Sequence, residues 1–135
     1  VANWTKKQIK DFNSTLQCWK ELSITGGEKT QTSVFNNINH LKSDCAFCHY
    51  MAIHWDDQEL WITNCECPLY RRSTNKGRRV YGPCVGYEDF CKAPIGSRER
   101  REAAKKLYKA IKEWMQQEGI LTTTTALDSG VARIQ

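Results

Sequence analysis

A chain of 135 residues that is 40% hydrophobic, with five Trp, five Tyr and four Phe, is long and apolar enough to build one domain core and is excluded from being mainly disordered. The first thirty residues are polar and no run reaches the roughly eighteen apolar residues of a membrane span, so neither a span nor a signal peptide is expected and the chain reads as soluble. The net charge of +5 is unevenly spread: residues 1–67 carry net −2, residues 68–118 carry net +7, and the last seventeen residues are neutral. That asymmetry favours an acidic or polyanionic partner, although a solvated lysine face produces the same balance.

Helix signals open the chain. Thr5 and Gln8 have the spacing of a capping box, with Trp4 and Ile9 placed as a hydrophobic staple. Ile9, Phe12, Leu16, Trp19 and Leu22 then paint an apolar stripe on a helix over residues 5–22. Gly26 and Gly27 mark the following loop, and the polar stretch to Gln31 has no periodicity. Val34, Phe35, Ile38 and Leu41 predict a shorter helix over Thr32–Lys42. The centre, residues 44–91, is expected to be irregular, with one short strand at Glu59–Thr63. A long helix is predicted over Ser97–Glu118, with Ser97 as its N-cap and Gly119 and Ile120 forming a Schellman end against Met115. Ala103, Leu107, Ile111 and Met115 lie on its apolar face, and Arg98, Arg101, Lys105, Lys109 and Lys112 on the opposite one. Four consecutive threonines follow, a β-branched run that reads as an extended arm over residues 121–135.

The seven cysteines are the unusual feature, too many for an ordinary cytosolic enzyme and too few for a disulfide-dominated miniprotein. Cys45 and Cys48 form a C-x2-C pair, Cys65 and Cys67 a C-x-C pair, and Cys84 follows Gly82-Pro83. A C-x2-C turn brings two thiolates to one ion with backbone amides aimed at sulfur, and a later cluster supplies the rest of a tetrahedral site. Pro68 and Pro83 stiffen the turns at Cys67 and Cys84, which orders the ligands as Cys45, Cys48, Cys67 and Cys84, with Cys65 as substitute and His49 and His54 in reserve. Zn2+ in a structural role fits an all-thiolate set without an open position. Cys18 and Cys91 read as buried small apolar residues. Two alternatives stand beside zinc. A secreted chain would hold three disulfides and a free thiol, with sequons at Asn3 and Asn13, and four thiolates also suit an iron–sulfur cluster.

C-A-F-C at 45–48, C-E-C-P-L at 65–69, C-V-G-Y-E-D-F at 84–90 and a closing charged helix resemble small cysteine-rich proteins encoded by bacteriophages. Those carry C-x2-C, C-x2-C-P-[LV], a further cysteine segment and an amphipathic helix, and are presumed to bind zinc. The C-x-C-P spacing departs from that pattern and leaves Cys67 as the better match. The resemblance implies a phage accessory protein in the cytoplasm of a bacterial host, and implies no reaction.

Between Cys67 and Cys84, Arg71, Arg72, Lys76, Arg78 and Arg79 run without an acidic neighbour, flanked by Tyr70 and Tyr81 as stacking faces. A loop fastened at both ends presents such charges at a fixed place and suits phosphate contacts with little sequence reading. The bland alternative is a solvated hairpin tip turning at Asn75-Lys76-Gly77. No spaced set around His40, His49 or His54 forms a catalytic constellation, and the H-x-E signature of zinc deaminases is missing, so no enzyme is expected. The expectation is therefore a mainly α fold: one zinc-stabilised domain over residues 1–120 plus the arm, non-catalytic and binding nucleic acid. The other reading is a phage protein that binds and inhibits a host protein complex, with Trp55, Trp61 and Tyr87 as aromatic anchors.

Overall fold

A computed structural model describes residues 4–51, 54–56, 61–63, 67–71 and 84–121. The fold is mainly helical, as expected. Helix α1 spans Lys6–Thr25, α2 Phe35–Ile38, α3 Ala46–Met51, α4 Pro68–Arg71, α5 Tyr87–Lys92 and α6 Arg98–Gln117. Strands β1 (His54–Asp56) and β2 (Trp61–Thr63) pair antiparallel, with His54 opposite Thr63 and Asp56 opposite Trp61.

The two long helices begin and end as their signals require. The Thr5 hydroxyl accepts the Gln8 N–H (3.1 Å) while the Gln8 side chain accepts the Thr5 N–H (2.9 Å), the reciprocal capping box. Ser97 accepts the Arg100 N–H (3.1 Å) at the start of α6. At its end Ile120 N–H donates to the Met115 carbonyl (2.9 Å) and Gly119 N–H to that of Gln116 (3.1 Å), with Gly119 at φ 75°, a complete Schellman motif.

Helices α1 and α6 pack antiparallel and form the frame. At one end Gly96 N–H donates to the Gly26 carbonyl (2.8 Å); at the other the Trp4 ring stands edge-on to Trp114 (5.7 Å). Between them Phe12, Leu16, Leu22, Leu107, Ile111 and Met115 are fully buried, and Phe47 of α3 joins Phe12 edge-to-face at 5.0 Å. Helices α2 and α3 lie on α1, while α4 and α5 lie on α6. Leu121, which the Thr-rich composition assigns to the arm, is buried in this core.

Two expectations change. The helix predicted over Thr32–Lys42 shrinks to the single turn α2, because Leu41 is extended and Ser43 and Asp44 are left-handed (φ 56° and 54°), which breaks the ladder before it can propagate. Its apolar residues Ile38 and Leu41 are nonetheless buried. The centre, expected to be irregular, contains three short helices and the β1–β2 ribbon. Residues 59–60 of the predicted strand, the C-terminal arm from residue 122 and the loop over 72–83 lie outside the described residues.

Arg100 was not assigned to either face by the apolar periodicity, yet it is buried. Its guanidinium donates to the Gly27 carbonyl through Nε (3.1 Å) and Nη2 (2.9 Å) and to the Phe90 carbonyl through Nη1 (2.8 Å), and it lies 3.9 Å over the Phe90 ring. One rigid fork thereby ties the α1 exit, α5 and α6 together.

Candidate metal centre

The site is assembled on α3. Its first N–H, that of Ala46, donates to the Thr15 hydroxyl (3.1 Å), which in turn donates to the Asp11 carbonyl (3.0 Å), so a side chain of α1 caps α3 from outside. The Tyr50 hydroxyl donates to the buried Asp11 carboxylate (2.5 Å) and fixes the other end of α3 to the same helix. Cys45, just before α3, and Cys48, within it, are both buried. The Cys48 backbone N–H donates to the Cys45 sulfur, as a metal-binding C-x2-C turn requires.

Cys67 precedes α4, with Pro68 at the first helical position, where its missing N–H costs nothing. Cys67 is buried, and its carbonyl accepts the Tyr70 N–H (3.1 Å). Val85 N–H donates to the Leu69 carbonyl (3.1 Å), which lays the segment carrying Cys84 beside the segment carrying Cys67. Cys84, half-buried, completes a sulfur chain: the Cys45 thiol donates to Cys48, and the Cys48 thiol donates to Cys84.

These contacts and burial keep the Cys45 and Cys48 thiols protonated. The Cys45 thiol is pushed well up, first by its bond to Cys48 and then by burial. At Cys48 the bond from Cys45 pulls the thiol down, but the bond to Cys84 and burial prevail and raise it to about 12. Burial raises Cys18 to about 11, with the Thr32 hydroxyl opposing. Among the described residues none of the six cysteines is in a disulfide, and no group of three or more His, Cys, Asp or Glu side chains converges as a bound metal requires. Three of the four expected ligands are thus joined through Cys48, the fourth is carried alongside, and a tetrahedral set is not formed. Cys65 lies outside the described residues.

The remaining candidates are scattered. His49 is exposed, accepts the Lys42 N–H at Nδ1 (3.2 Å) and stands edge-on to Tyr50; His40 is exposed just after α2 and shares a surface hollow with Lys7 and Lys10 of α1. Tyr70 is half-buried in the core margin and not an open stacking face. Arg72, Lys76, Arg78, Arg79 and Tyr81 lie outside the described residues, as does the side chain of Arg71. On α6, Arg98, Lys105 and Lys109 are exposed, while Arg101 bonds the Gly96 carbonyl (2.5 Å) and Lys112 lies over the Tyr108 ring (5.8 Å).

Lys29 was not singled out by any sequence signal, since it falls in the aperiodic stretch after α1. Its ammonium donates to the Ser43 carbonyl (3.0 Å) and sits over the rings of Trp19 (5.5 Å) and Tyr87 (5.3 Å). Burial pulls its pKa down, but Tyr87, Cys45, Cys18 and Asp44 outweigh that and hold it above the ordinary lysine value. Thr15 had a faint signal: with Asp11 it forms a polar pair one turn apart beside the apolar stripe of α1.

No family model, curated protein or solved structure matches the chain. Among the described residues no helix is long and apolar enough to cross a membrane.

Proposed function

We propose that this chain is a non-catalytic, zinc-stabilised helical module that binds nucleic acid through the outer face of α6 and the basic loop between Cys67 and Cys84. The α6 surface is the observation that carries the reading. Arg98, Arg101, Lys105, Lys109 and Lys112 fall within roughly 80° of arc at 3.6 residues per turn, opposite the buried Ala103, Leu107 and Ala110. A rigid helix packed along its whole length on α1 holds those cations in a line, and the exposed pairing of Lys105 with Glu102 (3.4 Å) is too weak to neutralise Lys105. A line of fixed cations without base-reading groups suits phosphate contacts.

The sulfur chain Cys45–Cys48–Cys84, with Cys67 beside it, supports zinc as the structural ion: every donor is a soft thiolate, and a divalent ion replacing the thiol protons would close the chain into a compact set. Cys67 is our choice for the fourth ligand and Cys65 the substitute. A phage accessory protein in the reducing cytoplasm of a bacterial host is the setting this chemistry suits.

The test is a salt titration of DNA and RNA binding for the natural protein, for Arg98→Glu/Lys105→Glu/Lys109→Glu and for Arg71→Glu/Arg78→Glu. Each lost phosphate contact flattens the slope of log K against log salt by about 0.9 on duplex DNA. Unchanged slopes in both variants sink the proposal.

A second reading, a protein that binds a host complex, draws on Ile24 and Ile95, which are 68% and 65% exposed and flank the same Gly26–Gly96 hydrogen bond. Retention of a nuclease-resistant partner that is lost in Ile24→Ser/Ile95→Ser and kept in the charge variants would favour it.

A further inference from the structure

We propose that Lys29 is the outer-shell cation of the thiolate site: it compensates the negative charge that thiolate ligands leave around a divalent ion, and it holds the turn that delivers Cys45. The inference rests on the metal reading above and adds a residue and a role to it.

Charge sets the need. Four thiolates around one divalent ion carry a net negative charge, and a partly buried site is screened less than open surface, so a nearby cation stabilises the loaded form more than the empty one. Lys29 is placed for this. Its ammonium is gripped by three different parts of the fold: the Ser43 carbonyl two residues before Cys45, the Trp19 ring next to Cys18 on α1, and the Tyr87 ring three residues after Cys84 on α5. The two aromatic faces replace part of the lost hydration without neutralising the charge. Its field acts on Cys18, Cys45, Cys48 and Cys91 together.

Backbone geometry supplies the second half of the role. Ser43 and Asp44 are consecutive residues other than glycine in the left-handed region, a conformation that persists only where the surroundings impose it. The bond from Lys29 to the Ser43 carbonyl is one such constraint, beside the Thr15 cap on Ala46 and the bond from the Lys42 N–H to His49. Between them they set the direction in which Cys45 leaves the turn.

The experiment compares the full-length natural protein with Lys29→Gln, which keeps a donor for the Ser43 carbonyl but no charge, and Lys29→Arg, which keeps the charge. Zinc affinity is measured by competition with a chromophoric chelator, and the Co2+-substituted forms are examined by absorption. Lys29→Gln is expected to bind zinc about 10- to 100-fold more weakly, the usual scale for outer-shell partners, and Lys29→Arg to recover most of the loss. The sulfur-to-cobalt charge-transfer band of Lys29→Gln should move to lower energy while the visible tetrahedral bands persist, because the ligands remain and only their electrostatic stabilisation is lost. If Lys29→Gln does not fold, Lys29→Met gives the same comparison with an apolar stem suited to the ring cage. Equal affinity in the natural protein and the neutral variant overturns the inference and leaves the metal reading standing. An arginine variant as weak as the neutral one overturns the charge role. No zinc uptake by the natural protein overturns both.

Discussion

Glu21 sits one turn before the end of α1 and accepts both the backbone N–H of Ser33 (2.8 Å) and its hydroxyl, with the Gln17 amide (3.0 Å) on the same carboxylate. Burial pushes this carboxyl up, but the Ser33 and Gln17 bonds prevail and its pKa lies below the ordinary value of 4.5. Folding therefore favours the ionised form. The stabilisation is complete above the ordinary carboxylate pKa and is lost as the pH falls through the lower folded value. Glu21→Gln should cost about 1 kcal/mol at neutral pH, and its deficit against the natural protein should vanish in urea melts carried out progressively below pH 4.5. Arg100 makes a harsher case. Removing its fork takes the Arg100 donors from the buried carbonyls of Gly27 and Phe90, each worth about 1–3 kcal/mol, so Arg100→Ala should lose about 2–6 kcal/mol in the same assay. Arg100→Lys should recover little, since an ammonium cannot reach two carbonyls in a fixed plane.

The glycines at the ends of α1 and α6 separate two causes of the same preference. Both are left-handed, Gly26 at φ 65° and Gly119 at φ 75°. A Cβ on Gly119 would meet nothing within 4 Å, whereas one on Gly26 would lie 3.1 Å from the Gly96 Cα and 3.1 Å from the Arg101 Cγ. Gly119→Ala should therefore cost about 1 kcal/mol, the left-handed penalty alone. Gly26→Ala should cost clearly more, because it also parts the Gly26–Gly96 bond; thermal melts of the two variants make the comparison. Element ends were the most legible part of this sequence. Thr5/Gln8, Ser97 and Gly119-Ile120 act through residues three to five apart, so their chemistry is written locally. Helix α2 and the centre were less legible, since α3 depends on a cap from Thr15, thirty-one residues away, and α4 on a backbone bond from Val85. The same limit hid Lys29 and Arg100. Each is a lone cation in sequence and acquires meaning only from carbonyls and rings brought to it by the fold. The C-x2-C spacing, by contrast, places Cys45 and Cys48 together on one turn, because it is again a local device, whereas the meeting with the Cys84 segment depends on the fold.

At the scale of the whole molecule the α1–α6 pair and the thiol centre depend on different forces, which separates what metal removal should do to each. The pair buries Phe12, Leu16, Leu107, Ile111 and Met115 along two twenty-residue helices and uses no sulfur ligand in that contact. Helices α3, α4 and α5 have six, four and six residues, far below the roughly twelve at which a helix holds in water by itself. Helix α3 keeps its Thr15 cap and the Tyr50–Asp11 bond without any ion. Helix α4, the shortest of the three, is joined to the Cys84 segment by the Val85–Leu69 bond, packs on α6 and directly follows Cys67, so it is the element expected to depend most on the ligands. Stripping zinc with a chelator under reducing conditions should leave most of the far-ultraviolet helical signal and the protected amides of α1 and α6. Hydrogen exchange should accelerate first at residues 67–71 and 84–87, and then, by a smaller factor, in α3. Uniform loss of protection across α1 and α6 would mean that the ion supports the whole core, and unchanged protection at residues 67–71 would mean that no ion ties the centre.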